Sequence, residues 1–143
     1  MDRAAVDDAV ALLQRAPVLA ACRGGPTDRS TLADRAGVSR ATAYRATNAL
    51  TERGLLERGA DGYRLTGFGR AVLTHVESFE AGLAGARTLA PLLARVDAPE
   101  LVSNTHLFTD ATVLTADRSA PYRIDQELAA IVADTSREMV GVT

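Results

Sequence analysis

Polar side chains suited to contact with nucleic acid recur along one side of residues 39–53. A helical period of about 100° per residue groups Arg45 and Asn48 there, with Arg40 at the N-terminal end. Arginine donates two parallel hydrogen bonds to a guanine edge, and asparagine both donates to and accepts from adenine. Tyr44, on the same side, offers a hydroxyl to a phosphate or a ring to a thymine methyl group. These residue types favour contact with double-stranded DNA.

The opposite side of the same helix is expected to pack on a core. Ala43, Thr47 and Leu50 share this side, and Ala46 lies beside them. A solvated helix face is the alternative interpretation of the polar side. That alternative explains the charges, but it does not explain the turn that precedes the helix.

The preceding turn is a specific local signal. Gly37 stands where the backbone needs a residue tolerant of positive φ, and Val38 would fill the angle between two helices. Ser39 is suited to cap the second helix, and Asp28 is suited to cap the first. Two short helices joined in this way form a helix-turn-helix, whose second helix enters a DNA major groove.

A change of period after Gly54 predicts a β-hairpin. Short strand-like runs flank the sequence Gly59-Ala60-Asp61-Gly62, and Asp-Gly at a tip is a strong hairpin signal. A hairpin directly after a recognition helix is the wing of a winged helix. Arg58 and Arg64 flank the tip and could touch the DNA backbone or minor groove. A solvated strand edge is the alternative for either arginine.

The distribution of charge supports a local phosphate-binding surface. From Arg29 to Arg64, seven arginines stand against four acidic residues, a net of +3. From Thr66 to the end, six arginines stand against ten acidic residues, a net of −4. A basic segment inside an acidic chain is typical of a localised contact with nucleic acid.

The N-terminal residues predict a helix in two pieces. Asp2 to Arg15 form the first piece, which Pro17 should interrupt, and a second piece ends at Gly24-Gly25. Cys22, the only cysteine, lies in an apolar run, which favours a core position over a reactive thiol.

A long helix follows the hairpin. Thr66 can cap it, and it is predicted to run from Gly67 or Phe68 to about Leu89, with Pro91 as a break or kink. Its apolar residues recur with alternating spacings of four and three, as in a coiled coil. This seam comprises Val72, Val76, Phe79, Leu83, Ala86, Ala90 and Leu93. Pairing with a second subunit is the preferred interpretation, and packing on a downstream domain is the alternative.

The residues from about Asp97 onward predict the beginning of an α/β unit. The predicted elements are a short helix over Pro99–Ser103, a strand over Ala111–Ala116, a helix over Ile124–Ala133 and a strand over Met139–Val142. Two strands and a helix make too small a core, so we expect the opening portion of a larger domain. The predicted fold is mainly α with a β-hairpin wing, followed by a long helix and a small, incomplete α/β segment. The predicted domains are residues 1–65, 66–96 and 97–143.

Other classes of protein lack support in the sequence. It contains no Gly-rich phosphate loop, HExxH, CxxC or nucleophile elbow, which argues against an enzyme. No histidine or cysteine accompanies His75 at metal-ligand spacing, so no metal or organic cofactor is expected. No apolar run of about 18 residues and no secretory signal are present, so no membrane span and a cytoplasmic location are expected.

Leu32 to Arg70 has the sequence LADRAGVSRATAYRATNALTERGLLERGADGYRLTGFGR. This segment is similar to archaeal winged-helix transcription regulators of the ArsR/TrmB type, especially a haloarchaeal group with a C-terminal effector domain. His106 to Arg123, HLFTDATVLTADRSAPYR, is similar to the start of that effector domain. The resemblance implies that GVSRAT belongs to the recognition helix and that YRLTGFGR joins the wing to a dimer helix.

The resemblance implies a DNA-binding regulator, a homodimer through helix 67–89 and a small-molecule effector of unknown identity. Ala43 departs from the larger aliphatic usual at its position, and the cysteine pairs of metal-sensing relatives are missing. Metal sensing is therefore not expected. A winged-helix module that binds protein without DNA is the alternative function. The residues expected to contact DNA are Ser39, Arg40, Thr42, Tyr44, Arg45 and Asn48 on the recognition helix, and Arg58 and Arg64 on the wing at 55–65.

Overall fold

The computed structural model describes residues 2–114 and 123–134. This part of the chain is mainly helical, with a two-stranded antiparallel hairpin. It divides into two compact units, residues 1–80 and 81–143. None of the described helices is both long enough and apolar enough to cross a membrane. In chain order the elements are α1 (Arg3–Ala21), α2 (Arg29–Ala36), α3 (Arg40–Glu52), β1 (Leu56–Gly59), β2 (Gly62–Leu65), α4 (Gly67–Leu93), α5 (Pro99–Ser103), a 3-10 helix (Thr105–Phe108) and α6 (Arg123–Asp134).

Helix α1 is continuous through Pro17, so the predicted interruption there is wrong. Pro17 is exposed, whereas Val18 and Leu19 are buried. A proline inside a helix costs about 3 kcal/mol, and burying two aliphatic side chains contributes about 3–6 kcal/mol. Burial therefore outweighs the lost hydrogen bond, and the helix continues to Ala21.

The turn between α2 and α3 has the predicted geometry. The Asp28 carboxylate accepts from the amides of Ser30 and Thr31 and caps α2. Gly37 has φ 64° at the end of α2, where a side chain would add strain. The Ser39 hydroxyl accepts from the Thr42 amide at 3.1 Å and caps α3. These three predictions are confirmed.

The apolar side of α3 lies in the core of the first unit. Ala43, Ala46, Thr47 and Leu50 are buried, as predicted. The Thr47 hydroxyl donates to the Ala43 carbonyl at 2.9 Å, which satisfies a polar group in a dry site. The buried core cluster consists of Val18, Leu19, Ala21, Cys22, Leu32, Ala46, Leu50, Leu55, Leu56, Tyr63, Leu65 and Leu73.

Cys22 belongs to this core, which confirms its predicted position. Burial raises the pKa of the Cys22 thiol to about 11, because a buried thiolate would lose its hydration. The nearby Arg35 guanidinium opposes this rise but does not cancel it. The thiol therefore stays protonated near neutral pH and acts as a small apolar group.

The predicted hairpin is confirmed, but its tip differs from the prediction. Ala60 and Asp61 form the two-residue loop, while Gly62 already belongs to β2 and pairs with Gly59. The Asp-Gly pair therefore does not occupy the tip. Gly62 has φ 120°, and a Cβ there would lie 2.5 Å from the Thr27 carbonyl oxygen. The glycine is required by this close approach of another segment.

Thr27 adds a short third segment to the hairpin. Its amide donates to the Tyr63 carbonyl at 2.9 Å, and the Tyr63 amide donates back to the Thr27 carbonyl at 2.9 Å. Since Thr27 lies two residues before α2, these bonds fix the hairpin relative to the first helix of the turn. No local sequence pattern predicts this bridge.

Helix α4 extends beyond the predicted end and passes through Pro91. The predicted end at about Leu89 is therefore wrong. Pro91 is tolerated because it lies near the end of a long helix, where its missing amide removes only one of many backbone hydrogen bonds. The Thr66 hydroxyl accepts from the Gly69 amide at 2.9 Å, which confirms the predicted cap. In the predicted seam, Val76 is buried, but the side chains of Phe79 and Leu83 are 54% and 41% exposed.

The regular elements described within residues 81–143 are all helices. Helices α5 and α6 confirm the predictions for Pro99–Ser103 and Ile124–Ala133. The predicted strand at Ala111–Ala116 is wrong for residues 111–114, which have no strand partner among the described residues of this unit. Residues 115–116 and the predicted strand at Met139–Val142 lie outside the described residues.

Candidate nucleic-acid interface

The outer face of α3 presents free cations to solvent. Arg40 and Arg45 are exposed, as are Thr42 and Tyr44. Within residues 2–114 and 123–134, the side chains of Arg40 and Arg45 form no hydrogen bond and no ion pair. Their guanidinium groups therefore keep their full donor capacity for an external acceptor such as a base edge or a phosphate.

Local contacts at the start of α3 occupy two of the predicted site residues. Ser39 is exposed, and its hydroxyl accepts from the Thr42 amide. The hydroxyls of Ser39 and Thr42 also lie 2.9 Å apart, within hydrogen-bond distance. Capping is thus the first role of Ser39. The first turn of a helix also favours an approaching phosphate, because its free amides carry partial positive charge.

Asn48 differs from the other polar residues of α3 because it is half-buried. Its Oδ1 accepts a hydrogen bond from Nη2 of Arg29 at 3.3 Å. The Arg29 guanidinium also lies over the ring of Tyr44, at 4.4 Å from the centroid, and over the ring of Tyr63, at 5.2 Å. Its Nη2 donates to the Tyr63 hydroxyl as well.

We call this arrangement the Arg29 cluster, defined by Arg29, Tyr44, Asn48 and Tyr63. It joins the start of α2, the outer side of α3 and strand β2. The cluster lines an open cavity of about 390 Å³ together with Thr51, Glu52 and Arg58. Attraction between a guanidinium and an aromatic face stabilises such a cluster by about 0.5–1 kcal/mol per ring at exposed sites.

Sequence reasoning missed Arg29 and Tyr63 as members of the site. Arg29 stands 19 residues before Asn48 and 34 residues before Tyr63, so no local period connects them. The basic stretch beginning at Arg29 was the available signal, but it does not identify which arginine turns toward α3. The Thr27 bridge supplies that information, because it brings Tyr63 to the start of α2.

The two hairpin arginines lie on opposite faces of the hairpin. Arg58 pairs with Tyr63 across the strands, and its guanidinium lies 5.9 Å from the centre of the Tyr63 ring. Arg64 pairs with Glu57 on the other face, and its Nε donates to the Glu57 carboxylate at 2.7 Å. Both arginines are exposed, but Arg64 is balanced by an acidic partner, whereas Arg58 forms no ion pair in the part of the chain that the structure describes.

A separate apolar groove lies between α1 and α4 in the first unit. It has a volume of about 610 Å³, and Val6, Val10 and Phe79 on its walls are exposed. His75 also lines this groove. Among the described residues, no cluster of three or more His, Cys, Asp or Glu side chains could hold a metal ion.

The described surface thus has two regions of different chemistry, a cationic one on α3 and an apolar one between α1 and α4. The family model described as HVO_A0261 N-terminal domain matches residues 3–88, which include α1 to α3, the hairpin and most of α4. A search of curated proteins found no significant match. Because the family match spans more than half of the 143 residues, the chain belongs to this haloarchaeal family.

Proposed function

Taking membership of this family as the premise, we propose that the protein is a sequence-specific DNA-binding regulator of transcription. In this proposal α2, α3 and the hairpin form a winged helix-turn-helix. Helix α3 enters the major groove, and the hairpin lies at the flanking backbone. The observation that carries the proposal is the exposure of Arg40 and Arg45 without a partner among the described residues.

Three other arginines of the first unit differ from Arg40 and Arg45 in this respect. Arg23, Arg53 and Arg64 form ion pairs with Glu77, Asp8 and Glu57. Their charges are balanced by neighbours of the same chain. Among the described residues, no acidic side chain forms an ion pair with Arg40 or Arg45. DNA phosphates are a dense source of anions that could balance these charges.

The two-fold symmetry of many DNA sites favours a dimer. We propose a homodimer through α4, in which the exposed seam residues Phe79 and Leu83 are covered by the second subunit. The groove between α1 and α4 would extend that apolar surface within each subunit.

A protein-binding module without DNA contact is the rival function. Such a module would bury apolar side chains of α3 against its partner, whereas the exposed arginines Arg40 and Arg45 would be costly to bury. The proposed activity is binding and regulation rather than catalysis.

Selection of bound fragments from randomised and genomic DNA tests the proposal. We expect the parent protein to enrich one motif, and a dimer to enrich two half-sites about one helical turn apart. The variant Arg40→Ala/Arg45→Ala should lose the enrichment. Arg3→Ala/Arg95→Ala, which removes two exposed arginines outside α3 and α4, is the matched control and should retain it. Equal enrichment by the parent and the α3 variant would overturn the proposal.

A further inference from the structure

We propose that Arg29 determines which base edge Asn48 recognises, by engaging the Asn48 carbonyl oxygen so that Asn48 meets the base chiefly as a hydrogen-bond donor. This inference rests on the proposed function, because it needs α3 to lie in a major groove. It assigns Arg29 as a positioning residue that acts through Asn48 and does not itself contact a base.

The chemistry of the guanidinium fixes the orientation of the Asn48 amide. Arginine has donors and no acceptor. The atom of Asn48 that lies 3.3 Å from Nη2 of Arg29 must therefore be the carbonyl oxygen. An amide nitrogen at that position would place one donor against another. Asn48 Nδ2 is left with both of its hydrogens, and it donates to no other atom among the described residues.

Arg29 is itself held in place by the Arg29 cluster. The rings of Tyr44 and Tyr63 both lie against its guanidinium, and the Tyr63 hydroxyl accepts from Nη2. Tyr63 is 6% exposed and is fixed by its two backbone bonds to Thr27. The hydrogen-bond partner of Asn48 is therefore positioned by the hairpin and by the segment before α2.

The hydrogen bond from Arg29 changes the base that Asn48 is expected to prefer. Adenine offers an acceptor at N7 and a donor at N6, so a bidentate contact requires asparagine to accept as well as donate. A charged donor already occupies the Asn48 oxygen, which weakens it as an acceptor for adenine. Guanine offers two acceptors, O6 and N7, and either can accept a hydrogen from Nδ2 without engaging the Asn48 oxygen. Asn48 in this setting should favour guanine over adenine.

A selection from randomised duplex DNA, with the base preference resolved at every position, tests the inference. The parent should favour guanine at the pair contacted by Asn48. Arg29→Met keeps an apolar stem but donates nothing. In this variant the preference at that pair should change toward adenine, and the ratio of adenine to guanine should rise at least about fivefold. Arg29→Lys restores one donor and should return the preference toward guanine. Preferences at the pairs contacted by Arg40 and Arg45, which do not touch Arg29, should stay unchanged, which a general loss of structure would not produce.

The variant Asn48→Asp provides an independent readout, because it keeps the acceptor for Arg29 and removes the donor to the base. It should fold with the parent's melting temperature or higher and lose the guanine preference. Retention of that preference in Asn48→Asp, or an unchanged preference in Arg29→Met, would overturn the inference and leave the proposed function standing. Failure of the parent to enrich any motif would overturn both.

Discussion

The outer face of α3 and the β1–β2 hairpin both carry arginines that the sequence predicts to contact DNA. The surroundings of these arginines differ. Arg40 and Arg45 have no partner among the described residues, whereas Arg64 donates to Glu57 and Arg58 lies near the Tyr63 ring. A free cation is available to a base or phosphate at once. Arg64 must first give up its ion pair with Glu57, so it contributes less to binding. The comparison predicts that α3 dominates both affinity and specificity.

Replacing Arg45 should have the largest effect and would test the α3 side of the comparison. Arg45→Ala should lose about 1–3 kcal/mol of discrimination at one base pair, because a bidentate contact to guanine disappears. Arg45→Lys keeps the charge but loses the fork, so it should retain more affinity than specificity. Base preference measured across a randomised DNA pool checks this. Identical preferences in Arg45→Ala and the parent would remove Arg45 from base recognition.

The attachment of the hairpin gives the next largest effect. Gly62→Ala should lower the free energy of unfolding by about 1–3 kcal/mol, because its φ of 120° is strained for alanine and its Cβ would meet the Thr27 carbonyl. Gly59→Ala is the matched control, since the nearest atom to its Cβ lies at an ordinary 3.9 Å. Urea unfolding of the two variants checks this. Equal stabilities would contradict the Thr27 bridge.

The ion pair on the hairpin should have a smaller effect on binding. Arg64→Ala should weaken binding to all DNA sequences alike by less than about 1 kcal/mol, because the charge it removes is already paired. Glu57→Gln should strengthen binding, since it frees Arg64, and the gain should shrink in the double variant Glu57→Gln/Arg64→Ala. Affinities at several salt concentrations measure both changes. A sequence-dependent loss in Arg64→Ala would place Arg64 at a base.

Loss of the charge on the α2 cap should have the smallest effect. It tests how much Asp28 stabilises the helix that precedes the turn before α3. Hydrogen bonds, chiefly from the Ser30 hydroxyl and then from Thr31, hold the pKa of the Asp28 carboxyl well below its usual range. The folded state therefore gains stability from ionised Asp28 above the ordinary aspartate pKa of about 4. That gain is lost as the pH falls below this value toward the lowered pKa of the folded state.

Asp28→Asn keeps a capping oxygen without the charge. It should narrow the difference in melting temperature between neutral and acidic solution relative to the parent. Thermal unfolding across this pH range measures the difference. The same pH dependence in the parent and in Asp28→Asn would show that Asp28 contributes nothing to it.

The elements of the first unit could be predicted from the sequence wherever local signals decide the structure. The caps Asp28, Ser39 and Thr66 and the turn glycine Gly37 all lie where the pattern predicted them. Proline was the misleading signal, because Pro17 and Pro91 both lie inside helices. At Pro17 the burial of the following residues outweighs its local penalty, and that burial is not visible in a local rule.

The part of the candidate site on α3 could be predicted from the sequence, but the prediction for the rest of the site was incomplete. Helical period separates the buried Ala43, Thr47 and Leu50 from the exposed Arg40 and Arg45 without any long-range information. The Arg29 cluster and the Glu57–Arg64 pair depend on contacts across the chain and on strand register. A one-residue change of register would exchange the two faces of the hairpin, so the environment of its arginines required the structure.

Nuclear magnetic resonance of the labelled 143-residue chain during titration with its selected DNA identifies the surface that binds. We expect the largest amide shifts on Ser39 to Asn48 and smaller shifts on the hairpin. Residues along the groove between α1 and α4 should change little beyond the effect of dimerisation. Shifts concentrated at Val6, Val10 and Phe79, with α3 unchanged, would rule out DNA binding by α3.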